Sequence, residues 1–344
     1  MKKIGGTFPP EKTEKTENGF FRNICHPDSD LKFMMSGRCG SYLCLKEIAL
    51  TDRKKIAYVP IYTCETVLAP FVKAGFQLKF YELDRNLHSI FDPAALDEIS
   101  VISLCGYYGF CNYDREFVAE CKKRGIVILE DITHSVFSGN GIDPLCDYIG
   151  GSFRKWMGVP CGGIAVKMHG KFKTEVLPPH PQHLDLRIRT INEPASDLFW
   201  EGEMLLRKIF DAYASDEASE YTLRHADFKA LAEKRRENYR AILAGLKKDL
   251  NGIRVIFPEL PPETVPSHFV IYAEKRDELQ AFLSERLIHS TVYWPVSPFV
   301  DLTGHDTAQY IYDHILAVPC DQRYEPADMS RIADAFNEFG AVNE

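Results

Sequence analysis

Between residues 56 and 167 short apolar runs alternate with segments of helical spacing, and this alternation leaves few folds open. Residues 56–60 form a short apolar run. Residues 63–74 have helical spacing, with Gly75 as a stop. Residues 77–83 alternate and are β-rich, and 101–106 are apolar. Residues 114–124 have helical spacing, an acidic start and a stop at Gly125. Residues 126–129 are a continuous apolar run, and 163–166 are a further strand candidate. Strands that alternate with helices in this way make a mostly parallel sheet covered on both faces, an α/β architecture. Reactive groups in such sheets gather beyond the carboxyl ends of the strands. Asp131 and the turn after Pro60 fall there.

The second half reads differently. Residues 177–183, rich in Pro and His, break regular structure, and helical stretches follow near 196–213 and 226–248. The latter is strongly charged on one face and reads as a connector. A strand at 268–272, a helix at 276–287, a strand at 290–293 and a final helix at 327–339 then suggest an α+β unit. The expected division is a large domain over residues 1–240, with its core sheet in 26–168 and connector helices in 170–240. A smaller C-terminal α+β domain takes residues 241–344.

Composition narrows the function classes. The 344 residues suffice for two domains, and the net charge of −8 argues against nucleic acid or an anionic membrane as partner. No stretch approaches the ~18 apolar residues of a membrane span. The N-terminus lacks the apolar core of a signal peptide. The ten cysteines include no Cys-x-x-Cys pair, and several sit in apolar runs. That favours reduced, buried thiols over disulfides or zinc, a cytoplasmic location and no metal site.

The chemistry concentrates at two strand ends. Lys155 follows a strand-like run and small residues, in Gly150-Gly-Ser-Phe-Arg-Lys155, with the glycine pair Gly162-Gly163 beyond it. Asp131 ends Val127-Ile-Leu-Glu-Asp131, 24 residues earlier. A lysine that can join an aldehyde in a Schiff base, and a carboxylate that can hold a proton on a pyridine nitrogen, are what pyridoxal phosphate (PLP) requires. His134 is within reach of the phenolic oxygen of such a ring. Ser36-Gly37-Arg38-Cys39-Gly40 precedes a helical stretch and can cradle a phosphate with backbone amides and a guanidinium. Each residue also has a plainer reading: Lys155 as a surface lysine, Asp131 as a helix cap, His134 as a packing residue, the glycine loop as a turn. Ser152-Phe-Arg-Lys155 matches the Ser-x-x-Lys of penicillin-recognising enzymes, but no Lys-Thr-Gly or Ser-Asp-Asn accompanies it.

The order of these motifs resembles a known family. A Ser-Gly loop is followed by Val59-Pro-x-x-Thr63 and by Ala74-Gly-Phe with Phe80-Tyr-Glu-Leu-Asp84. Then come Gly-Tyr-Tyr-Gly at 106–109, Ile-Leu-Glu-Asp-Ile-Thr-His-Ser at 128–135, and the lysine segment. The pattern is similar to the PLP-dependent sugar-nucleotide aminotransferases of DegT/DnrJ type, which have fold type I. The likeness spans residues 30–168 and returns at 267–298 and 316–336. It implies that Lys155 carries the cofactor and that Asp131 faces the pyridine nitrogen. His134, where the family usually has Gln, would face the phenolic oxygen. Ser36, Gly37, Arg38 and Ser152 would hold the phosphate, and Cys64 would lie where an aromatic usually stacks on the ring. Tyr62, Tyr293, Trp294 and Arg323 are candidates for the substrate mouth. The resemblance further implies amino transfer from an amino acid, glutamate as donor, to a keto-sugar nucleotide in polysaccharide biosynthesis, by a homodimer. Departures from the pattern are Arg38 for Thr, Cys64 for the aromatic, a serine three rather than five residues before the lysine, and Cys161 for the Glu before the glycine pair. They leave open a non-catalytic PLP- or nucleotide-binding relative, or another PLP enzyme of the same fold.

Overall fold

The computed structural model describes residues 2–193 and 196–342. After a short helix, α1 (Phe20–Ile24), strand β1 (Asp30–Met34) leads into helix α2 (Gly37–Ala49). Then follow β2 (Ile56–Pro60), α3 (Glu65–Lys73), β3 (Gln77–Leu83), a two-residue β4 (Ser89–Ile90) and β5 (Val101–Cys105). Helix α4 (Arg115–Lys123), β6 (Val127–Asp131), β7 (Tyr148–Ser152) and β8 (Gly163–Lys167) complete the sheet. Its eight strands lie in the order β1-β8-β7-β6-β5-β2-β3-β4. The run β7-β6-β5-β2-β3 is parallel; β8 is antiparallel to both β7 and β1, and β4 is antiparallel to β3. The sheet is therefore mixed but mostly parallel, the α/β architecture expected.

Local chemistry sets the ends of these elements. Asp114 caps α4 by accepting from the backbone N–H of Glu116 at 2.8 Å, and Ser36 caps α2 by accepting from that of Cys39 at 3.2 Å. Helix α3 starts one or two residues later than its sequence pattern suggests, because extended Cys64 is its N-cap. Helix α2 packs on β8 with almost no gap. A Cβ added to Gly40 would stand 2.1 Å from the carbonyl oxygen of Ile164. Glycine is thus required there for backbone approach. One core layer joins α2 and α3 to the C-terminal unit, and a second, with Phe21, Phe153, Trp156 and Phe228, covers the opposite face.

Helices α5 (Pro181–Asn192), α6 (Ser196–Ile209), α7 (Glu217–His225) and α8 (Phe228–Gly245) follow. The helical stretches expected at 196–213 and 226–248 correspond to α6 and α8. Residues 181–183 are helical, contrary to the expected break. Pro181 stands in the first turn of α5, where a missing N–H does no harm. Helix α8 runs through residue 240, the expected division point. The C-terminal unit has a three-stranded antiparallel sheet, ordered β11-β10-β9, from β9 (Ile253–Val255), β10 (His268–Ala273) and β11 (Ile315–Pro319). Helices α9 (Arg276–Glu285), α10 (Asp306–His314) and α11 (Pro326–Val342) accompany it. Residues 290–293 do not form the strand expected of them; Thr291 makes a single bridge to Ala317. Among the described residues no helix is long and apolar enough to cross a membrane.

Gly40→Ala should destabilise the fold by about 3 kcal/mol or more, since the methyl would meet backbone rather than a yielding side chain. A urea midpoint equal to that of the parent protein would show that α2 can move off β8 freely.

Candidate active site

The carboxyl ends of β2, β5, β6 and β7 share one edge of the sheet, and β1 reaches the same edge before α2. Five turns therefore converge: Ser36–Gly37 after β1, Tyr62–Cys64 after β2, Gly106–Gly109 after β5, Asp131–His134 after β6 and Ser152–Lys155 after β7. Every cofactor residue picked out in the sequence lies in one of them except Arg38, which stands in the first turn of α2.

Two hydrogen bonds fix the Asp131 and Lys155 turns together. The Thr133 backbone N–H donates to Asp131 Oδ1 at 2.9 Å, and the indole N–H of Trp156 donates to the Thr133 carbonyl at 2.8 Å. Lys155 closes a single 3₁₀ turn that Ser152 begins, with Ser152 Oγ accepting from the Arg154 N–H at 3.4 Å. The approach of α2 is close here too: a Cβ on Gly37 would lie 2.9 Å from the Ser152 Cβ. The N-terminus of α2 thus faces the start of the lysine turn.

Burial dominates the electrostatics. It pushes Lys155 below the ordinary lysine range; Cys64 and Glu203 oppose, Arg154 adds to the lowering, and Asp131 opposes. Burial also raises the Asp131 carboxyl against the bonds from Thr133 and the nearby Lys155. His134 is held neutral by burial and by Lys155, and its Nε2 has no hydrogen-bond partner among the described residues. The guanidinium of Arg38 is buried and none of its three nitrogens has such a partner. It rests 5.3 Å from the Phe210 ring centre, and burial lowers its pKa despite Glu203.

These are the features a phosphorylated pyridine aldehyde needs. Among the described residues Arg38 offers donors without partners beside a helix N-terminus and His134 a ring nitrogen without one; Lys155 is an amine whose pKa burial lowers, and Asp131 is a half-buried carboxyl. The residues fit PLP. Cys64 caps α3 between Lys155 and Arg38 and acts electrostatically on both.

An aromatic wall closes the other side. Tyr62 is fully buried, its hydroxyl 3.1 Å from that of Tyr108, and its ring 4.8 Å from Trp294. The Tyr293 ring centre lies 4.4 Å from Lys155 Nζ. Tyr62, Tyr293 and Trp294 therefore meet beside the lysine. Arg323 stands apart: its guanidinium holds both oxygens of Asp321 at 2.8 Å and donates to the carbonyls of Gly6 and Thr7.

Several residues that complete the site were not singled out in the sequence. Arg235 is fully buried and donates to the carbonyls of Trp156 at 3.0 Å and Ser267 at 2.8 Å, and to Gln322 Oε1 at 3.0 Å. It pins the lysine turn to the C-terminal unit. Glu203 on α6 pairs with Arg187 and, at 3.4 Å, with Arg154. Tyr108 occupies the left-handed region (φ 57°), with Gly109 beside it (φ 106°), in a tight turn between Tyr107 and Phe110. Ser267 stands just before β10 and His268 opens it. The Gly-Tyr-Tyr-Gly loop around Tyr108 and the Ser-His pair ahead of an apolar strand offered a sequence signal; Arg235 and Glu203 look like any charge on a solvated helix.

No family model matches the chain, and no curated protein matches it. Solved structures do. Helicobacter pylori PseC, an aminotransferase involved in the biosynthesis of pseudoaminic acid, is 13% identical with a TM-score of 0.71, over 99% of this chain and 100% of that one. Streptococcus pneumoniae Spr1654 in its PLP form is 12% identical with a TM-score of 0.66, over 99% of each chain. A DegT DnrJ EryC1 StrS aminotransferase from Brucella abortus is 15% identical with a TM-score of 0.62, over 94% and 88%. At these identities the likeness establishes the architecture: the chain has the fold of these aminotransferases, fold type I.

The Glu203 carboxyl is brought down to about 2 from 4.5: burial opposes ionisation, but Arg154, Arg187 and Arg38 outweigh it. A depressed acid stabilises the fold above its unfolded pKa and loses that contribution as pH falls from 4.5 toward 2. Urea titrations should show the parent losing about 2–3 kcal/mol more than Glu203→Gln across that window. Equal acid sensitivity would mean that Glu203 is not held by the arginines.

Proposed function

We propose that this protein is a PLP-dependent aminotransferase that moves an amino group from an amino acid, glutamate first among donors, to a keto-sugar carried on a nucleotide. The observation that carries the reading is the convergence of Lys155, Asp131, His134 and the unpaired Arg38 at one sheet edge of a fold shared with aminotransferases. Neighbours of the same fold include one called a sugar aminotransferase and solved in PLP form, which supports both the cofactor and the sugar.

In this reading Ser36, Gly37, Arg38 and Ser152 hold the phosphate, and Cys64 lies beside the ring. The bound cofactor supplies an electron sink for a carbanion at the amino carbon. The protein's own groups do the rest. Burial favours Lys155 as a neutral amine, the form that can attack a carbonyl and later carry a proton between carbons. Burial alone favours neutral Asp131, but a protonated pyridine nitrogen opposite it would restore the carboxylate, and the pair would hold that proton in place. Tyr62, Tyr293 and Trp294 wall the substrate side and exclude water. Arg323 is assigned there as well, at the outer rim where the N-terminal segment crosses.

We further propose a homodimer in a reducing, cytoplasmic setting, which suits ten free cysteines. Trp200 and Met204 on α6 and Ile188 on α5 are exposed at 61%, 49% and 40%, an apolar face suited to a second copy. Trp200→Glu should shift the sedimentation coefficient from dimer toward monomer; a parent protein that sediments as a monomer contradicts the dimer.

Lys155→Ala should abolish the visible absorbance band that the parent acquires with PLP. Asp131→Asn should keep the band and slow the half-reaction with glutamate by about 100-fold, as expected when a charge partner of the transition state is lost. A Lys155→Ala protein that retains the band, or a parent whose band does not respond to any amino donor, would refute the assignment.

A further inference from the structure

Four side chains form one hydrogen-bonded line beside Lys155. His134 Nδ1 lies 3.4 Å from Ser267 Oγ, and Ser267 Oγ lies 3.1 Å from His268 Nδ1. His268 Nε2 lies 2.8 Å from the Tyr293 hydroxyl, and the Tyr293 ring lies under Lys155. His134 comes from the large sheet; the other three come from the C-terminal unit.

With the serine proton kept on the line it can run in two ways; were Ser267 Oγ to accept from both imidazoles, its buried hydroxyl proton would have no acceptor among the described residues. Burial, with cations nearby, keeps both imidazoles neutral: His134 faces Lys155, and His268 faces His134, Arg235, Lys155 and Arg323. A neutral imidazole has one N–H and one lone pair, and a serine hydroxyl has one proton. In the first arrangement Tyr293 donates to His268 Nε2, His268 Nδ1–H donates to Ser267, and Ser267 donates to His134 Nδ1. His134 then carries its proton on Nε2, the nitrogen without a partner among the described residues. In the second every bond reverses and Nε2 is a lone pair. Burial keeps the Tyr293 phenol protonated, and His268 Nε2 at 2.8 Å is the one hydrogen-bond partner of its hydroxyl among the described residues; the first arrangement gives that proton an acceptor, and the second leaves it none.

We infer that Ser267, His268 and Tyr293 are positioning residues that hold His134 as its Nε2–H tautomer, ready to donate to an anionic oxygen, here the phenolic oxygen of pyridoxal. The inference rests on the cofactor reading above and adds residues of the C-terminal unit to it. It also gives His134 a role a glutamine could fill only by fixing its amide orientation, because an amide nitrogen always donates.

Ser267→Ala isolates the effect. The backbone at 267 is held independently, by its N–H to the Tyr108 carbonyl at 2.9 Å and its carbonyl to Arg235 at 2.8 Å. Nitrogen-15 spectra of the imidazoles, with and without PLP, report the tautomer, and absorbance against pH reports the titration midpoint of the bound cofactor. The parent should show His134 protonated at Nε2 alone. Ser267→Ala should show both tautomers and a midpoint raised by roughly 0.5–1 pH unit, since a weaker donor leaves the ring oxygen more basic. Ser267→Thr, which keeps the hydroxyl, should restore both. A parent His134 protonated at Nδ1, or a Ser267→Ala protein with unchanged spectrum and midpoint, overturns the relay. A parent that forms no band with PLP overturns the cofactor reading instead, and the tautomer in the unloaded protein still decides the relay.

Discussion

The geometry beside Lys155 depends on a buried guanidinium. Among the described residues no carboxylate touches Arg235 directly, yet it is fully buried, and burial alone would drive its charge out. Its carbonyl partners on Trp156 and Ser267, and the Gln322 side chain, return part of that cost. Charge-assisted bonds of this kind contribute roughly 1.5–3 kcal/mol each. The result is directional. The two carbonyls belong to the residue after Lys155 and to the residue just before β10, so one side chain sets the lysine turn against the C-terminal unit.

The same balance of burial against partners explains the charges around the site. Arg38, Arg154 and Arg187 crowd around the half-buried acid Glu203. One carboxylate cannot neutralise three guanidiniums, and Arg38 is left without a hydrogen-bond partner among the described residues. Burial lowers the lysine pKa and Arg154 adds to it, while the surplus of cations favours an anion nearby. Arg38 brings a guanidinium to the N-terminus of α2.

Much of this was legible in the sequence. Strand–helix alternation and the glycine stops gave the parallel sheet, and apolar runs ending in Asp131 and in Gly150–Ser152 marked its reactive edge. What escaped reading has a physical reason in each case. Residues 181–183 look like a breaker because Pro and His cluster there, but proline in a first turn begins a helix rather than ending one. Residues 290–293 have strand composition, yet only Thr291 finds a partner. Arg235 and Glu203 sit on helices rich in exposed charges; which one is held inward is decided by partners distant in the chain, 79 residues away between Arg235 and Trp156 and 49 between Glu203 and Arg154. The His134–Ser267 contact joins residues 133 apart, beyond any local pattern.

The central claim is that the nitrogen of Lys155 bonds the cofactor aldehyde. Borohydride reduction of the PLP-treated protein, followed by peptide mass spectrometry, tests it most directly. The account predicts a pyridoxyl group on the peptide that contains Lys155 and on no other. Stoichiometric labelling of a different lysine, or no label at all, would contradict it.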